Sequence, residues 1–142
     1  MANRRSFSWS TAMRDARGER MPRAGIREER LRATSGLKLP GSMTSWRGLS
    51  GRRYVVGVHS LDGTGVADIT DAVVIAVTRN LDGTACVVDV SAPGLATSRR
   101  SRLRWLALMR TRGATEMHVH LLAESEIERR AVLRDLAGEG DA

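Results

Sequence analysis

Four arginines, Arg99, Arg100, Arg102 and Arg104, fall close together just ahead of an apolar stretch. Leu103, Trp105, Leu106, Leu108 and Met109 follow at helical spacing, Ser98 can cap the start and Gly113 can stop the end, which predicts a helix over 99–112. The arginines then crowd its first turns, where the macrodipole is positive and backbone N–H groups lack partners. Each exposed cation there costs about 0.3–1 kcal/mol. A bound phosphate would offset that cost, because helix N-termini are ready-made anion sites. Phosphate contact by these four side chains is the expectation, and a solvated basic face is the plainer alternative.

His118 and His120 stand two apart in a segment that alternates as a strand over 117–122, with Met117, Val119 and Leu121 on the other face. Glu116 shares the histidines' side. H-x-H on a strand is a two-ligand metal arrangement, with His59 as the third candidate, but nothing in the spacing brings His59 near. No metal and no other cofactor is expected. Cys86 alternates with Val88 and Val90 and reads as a core residue, since no neighbouring base would activate its thiolate. The chain has no G-x-S-x-G elbow, no G-x-x-x-x-G-K-[ST] loop, and no G-x-G-x-x-G opening a helix after a strand. No catalytic residue is assigned.

The elements that must position these residues begin at Tyr54. Segments 54–60 (YVVGVHS), 73–79 (VVIAVTR) and 84–91 (TACVVDVS) are rich in β-branched residues and read as strands. Asn80-Leu81-Asp82-Gly83 joins the last two, and Asp-Gly between apolar runs is a strong hairpin signal. SLDGT at 60–64 and NLDGT at 80–84 use the same turn chemistry twice. After the arginine-rich helix and the histidine strand, Ser125 and Glu128 form a capping box for a helix to Ala137, which Gly138 ends. The order is β-β-β-α-β-α. The expected fold is an α+β domain over 52–138, with a mainly antiparallel sheet of about four strands and two helices on one face. The other face would be free for a partner or a second copy of the chain.

Ahead of this domain the composition changes. Residues 1–53 hold 13 Lys+Arg against 4 Asp+Glu, whereas residues 54–142 hold 10 against 12, so the net +7 of the chain originates in its first third. Residues 1–45 are rich in Arg, Ser and Gly and lack apolar periodicity, which predicts a disordered basic arm. A short helix over 25–33 is admissible, ended by Gly36, Pro40 and Gly41. Met21 and Met43 are alternative starts. Aromatics are 4% of the residues, so the core must be aliphatic, with Trp105 its largest candidate. The single Cys86 and the lack of any apolar stretch near 18 residues point to a reducing cytoplasm without a membrane span.

The order of hairpin, arginine-rich helix, strand and capped acidic helix over 73–137 resembles the core of GIY-YIG nucleases. The likeness implies an α+β fold that handles DNA, an arginine at Arg99, Arg100 or Arg102, and a metal-binding acid at Glu124, Glu126 or Glu128. The strands VVIAV and VVDVS carry neither the tyrosines nor the glycines of the family's name motifs, which implies binding without cutting. A non-catalytic nucleic-acid-binding accessory protein is therefore the leading expectation. A degenerate metal-dependent nuclease and a protein-interaction or oligomerisation domain are the alternatives.

Overall fold

The computed structural model describes residues 20, 22–30, 42–62 and 65–138. Within them the chain forms β1 (Arg27–Glu29), β2 (Ser42–Arg47), β3 (Arg53–Ser60), a 3-10 turn (Val66–Asp68), β4 (Val73–Arg79), β5 (Ala85–Ser91), α1 (Arg99–Thr111), β6 (Glu116–His120) and α2 (Glu126–Ala137). The strands make one sheet in the order β1-β2-β3-β6-β4-β5, and every neighbouring pair is antiparallel. The α+β class and the antiparallel sheet are as expected. No helix among the described residues is long and apolar enough to cross a membrane.

Local chemistry explains the elements from β3 onward. Gly83, at φ 88, closes the β4–β5 turn, and Asn80 exchanges backbone bonds with Thr84 and Gly83 at 2.9 Å each. The Ser98 hydroxyl accepts the Ser101 N–H at 3.1 Å and opens α1. Ser125 accepts the Glu128 N–H at 3.1 Å, and Glu128 reaches back to the backbone N–H of Glu124 at 3.0 Å. Gly138 ends α2 in the left-handed region at φ 79.

Three expectations need correction. First, the sheet has six strands, because Arg27–Glu29, inside the segment 1–45 read as an arm, and Ser42–Arg47, which begins in it and runs past its end, form β1 and β2. Pairing with β2 also makes 27–29 a strand where a helix was admissible. Ile26 is buried and Trp46 is fully buried, so the sheet supplies the apolar contacts that this polar segment lacks by itself. The parts of the expected arm at 1–19, 21 and 31–41 lie outside the described residues.

Second, the helices lie on opposite faces. Val73, Ile75 and Val77 of β4 pack with Val132 and Leu136 of α2, while Val74 and Ala76 pack with Leu106 and Met109 of α1. Alternation along β4 puts these two sets on opposite sides of the sheet, so the face expected to stay free is covered. Burial of all five residues from Val73 to Val77 follows from this double cover.

Third, a bulge interrupts β5. Pairing shifts from Ala76 opposite Asp89 to Val77 opposite Val87, which leaves Val88 as an extra residue. Val88 therefore faces α1 and Val90 faces α2, so the alternation drawn through Cys86, Val88 and Val90 fails at that point. Cys86 is buried, as a core residue should be.

Candidate functional site

The four arginines of α1 divide into two groups. Arg102 turns inward: its Nε donates to the carbonyl of Ala67 at 2.6 Å, and its Nη1 donates to that of Thr97. It braces the 3-10 turn against the start of α1. Arg99 donates to Asp68 at 3.0 Å in a solvent-exposed pair worth little in stability. Arg100 and Arg104 are exposed, and their side chains make no ion pair with a described residue. With Arg99, Leu103 and Ala107 they line an open, shallow depression on the solvent side of the helix. From Arg99 to Thr111 there are five arginines and no acidic residue. Trp105 is half-buried and donates its indole N–H to Asp89 at 3.3 Å, so it belongs to the packing.

The histidines have a different place. His118 is fully buried on the α2 side of the sheet, and its Nδ1 accepts the indole N–H of Trp46 at 2.9 Å. That contact makes Nε2 the protonated nitrogen, and Nε2–H donates to Glu116 at 2.9 Å. Glu116 also accepts Nε and Nη2 of Arg79, both at 2.9 Å, and Arg79 reaches Glu28 at 3.0 Å. A polar chain thus crosses the sheet from Trp46 through His118, Glu116 and Arg79 to Glu28, joining β2, β6, β4 and β1.

Charges along this chain are matched. The hydrogen bonds from Arg79 hold the Glu116 carboxyl down at about 2, and the same contacts raise the Arg79 guanidinium above its ordinary value. Burial pushes His118 down, outweighing the pull of Glu116, and keeps the imidazole neutral. A histidine–carboxylate pair has the form of a proton-transfer dyad, yet here Trp46 fills the acceptor nitrogen and no solvent reaches it. Both ring nitrogens being engaged, His118 has no lone pair for a metal. The chain is structural, and it sets the register of four strands.

His120 is buried, with Nδ1 against the Val55 carbonyl at 2.8 Å and the Tyr54 ring edge-on at 5.5 Å. His59 is exposed and sits opposite Met117, whose side chain packs beneath α1. It therefore lies on the other side of the sheet from His118 and His120, and the three histidines do not converge. Among the described residues no three His, Cys, Asp or Glu side chains group as a metal site.

A second cluster gathers on β1 to β3, where Arg27, Arg47 and Arg53 all contact Glu29. Hydrogen bonding from Arg47, ahead of the other two, holds the Glu29 carboxyl at about 2. One carboxylate against three guanidiniums leaves this edge basic. Neither this cluster nor the chain from Trp46 to Glu28 is evident from residue spacing, because their members come from strands far apart in sequence. Trp46 was the available signal: an indole in a polar segment needs both a cavity and a partner for its N–H.

A scan against protein-family models and searches of curated proteins and of solved structures each returned no match to this chain.

Proposed function

We propose that this protein binds nucleic acid without cutting it, and that the outward face of α1 is the contact surface. The observation that carries the reading is the acid-free helix whose Arg100 and Arg104 point to solvent without an acidic partner among the described residues. Arg100, in the first turn, is unfavourable for the free protein and favourable once a phosphate arrives, and Arg104, one turn on, extends the same basic face. Arg99 can exchange its exposed pair with Asp68 for a phosphate contact. Arg102 supports the surface from below. The excess charge of residues 1–53 adds attraction that carries no sequence information. The order of hairpin, helix, strand and helix over 73–137 is the order on which the likeness to GIY-YIG nucleases rests, and it favours the same partner. Without tyrosines in β4 and β5, that likeness supplies no hydrolytic group.

A mobility-shift titration with a duplex oligonucleotide at two salt concentrations, with and without magnesium, tests this. Binding should weaken steeply with salt and leave the DNA intact. Replacing Arg100 and Arg104 together by Gln should make the logarithmic salt slope shallower by about 2, one phosphate for each side chain. Removing residues 1–19 should flatten it further. That truncation stops before Arg20, whose backbone exchanges hydrogen bonds with Asn80 at 3.0 and 2.7 Å. An unchanged slope in the double variant would refute the α1 surface and favour a protein-interaction domain. Nicking that requires magnesium would favour the nuclease alternative.

A further inference from the structure

A second concave site lies on the opposite side of the sheet from the arginine face. Arg52, Tyr54, His120, Leu122, Glu128 and Val132 surround a cleft of about 390 Å³ between β3, the end of β6 and the first turns of α2. Its floor is set by His120, which is only 5% exposed. The ring's Nδ1 lies 2.8 Å from the carbonyl oxygen of Val55, which can only accept, so Nδ1 carries the proton. Nε2 then holds a lone pair and has no partner among the described residues. That acceptor opens on the cleft without a protein donor, so it is available to a donor that enters the cleft, a water or the donor group of a ligand.

The walls specify that donor. Glu128 accepts the Glu124 backbone N–H through Oε2, and its charge lies along one side of the cleft. Arg52, exposed, supplies a positive charge on the same cleft. The Tyr54 hydroxyl is committed to Asp135 at 2.7 Å, which leaves its ring as an apolar wall with Leu122 and Val132. A bare anion would meet Glu128, and a bare metal ion would meet Arg52 with too few ligands to hold it. A molecule with a cationic donor at one end and an anion at the other satisfies every group.

We propose that this cleft binds a small zwitterion of the amino-acid type, its ammonium shared by His120 Nε2 and Glu128 and its carboxylate held by Arg52. The site is independent of the nucleic-acid reading. The test follows the His120 ring signals of the full chain by NMR during titration with L-lysine, which offers two spacings between ammonium and carboxylate. n-Butylamine and butyrate serve as its two halves, and zinc as the competing metal probe.

Lysine should give a saturable shift at His120, and each half-molecule should bind at least tenfold more weakly. Glu128→Gln keeps the helix cap, since Gln serves a capping box as well as Glu, and should abolish the lysine shift while lowering the thermal midpoint only slightly, as loss of one first-turn charge requires. The proposal is overturned by the absence of a saturable shift, by butylamine binding as well as lysine, by an unaltered response in Glu128→Gln, or by zinc saturating His120 at a lower concentration than lysine.

Discussion

The two helices do the same packing work and carry opposite surface chemistry. α1 seals one face of the sheet with Leu106 and Met109, and α2 seals the other with Val132 and Leu136. α2 follows the charge rule at its start, with Glu126 and Glu128 in the first turn, Arg134 near its end offset by the neighbouring Asp135, three acids balancing three bases, and Arg130 paired with Glu126 one turn away at 2.8 Å. α1 breaks the charge rule at its start, where Arg99 and Arg100 occupy the first turn with no acid. Packing holds α1 in place regardless. Its unfavourable charges collect on the side that packing does not use, which is where a functional cost is expected to appear.

The largest effects should come from the shared role. Met109→Ala and Leu136→Ala, both fully buried, should each lower stability by about 2–5 kcal/mol in urea unfolding. A small loss at one position alone would mean that the two helices are not equivalent layers.

Next in size is the polar chain beneath α2, which has no counterpart beneath α1 among the described residues. Trp46→Phe removes the donor to His118 and should cost about 1–3 kcal/mol, the range for leaving a buried acceptor unpaired. The chain also makes the α2 side acid-sensitive. His118 is held below its usual 6.5, so the unfolded chain takes up protons first and stability falls as pH drops below 6.5. Glu116 is held at about 2 against 4.5, so its contribution is complete above 4.5 and is lost as pH falls from there toward 2. Urea midpoints measured from pH 8 to pH 3 should fall in both windows. Arg79→Met should make the lower one shallower and leave the share of Glu29, which Arg47 also holds at about 2, and an unchanged lower window in that variant would show that Glu116 is not held by Arg79.

The smallest effects should have opposite signs at the two N-termini. Arg100→Glu should raise stability by about 0.3–1 kcal/mol, and Glu126→Arg should lower it by a similar amount, both fading with salt. Thermal melts at low and high ionic strength decide this. If Arg100→Glu stabilises the fold and weakens DNA binding together, the charge rule is broken for function. A loss of stability in that variant would remove the contrast between the helices.

The hairpin, both helices and their caps were legible because their signals are local. Asp-Gly sits between two β-branched runs, Ser98 and Ser125 precede helical spacing, and Gly113 and Gly138 follow it. The position of the arginines on the first turns of α1 was legible for the same reason. The inward turn of Arg102 was not, since its target, the Ala67 carbonyl, lies 35 residues away. The double cover of the sheet did leave a trace in the unbroken apolar run of Val73 to Val77, a pattern that one-sided strands do not need.

Sequence alone therefore determined which segments from β3 onward are helix or strand and where most of them stop, because propensity, capping and turn chemistry act within a few residues. Tertiary structure decided the rest. Arg27–Glu29 has no strand signal of its own and becomes one through backbone pairing with β2. His118 changes from a candidate ligand to a structural link because folding brings Trp46, 72 residues distant, within 2.9 Å of it. His120 keeps a free nitrogen because the Val55 carbonyl, 65 residues distant, claims the other. A side chain's chemistry is set by which hydrogen-bond partners remain, and those partners are chosen only when the chain closes on itself.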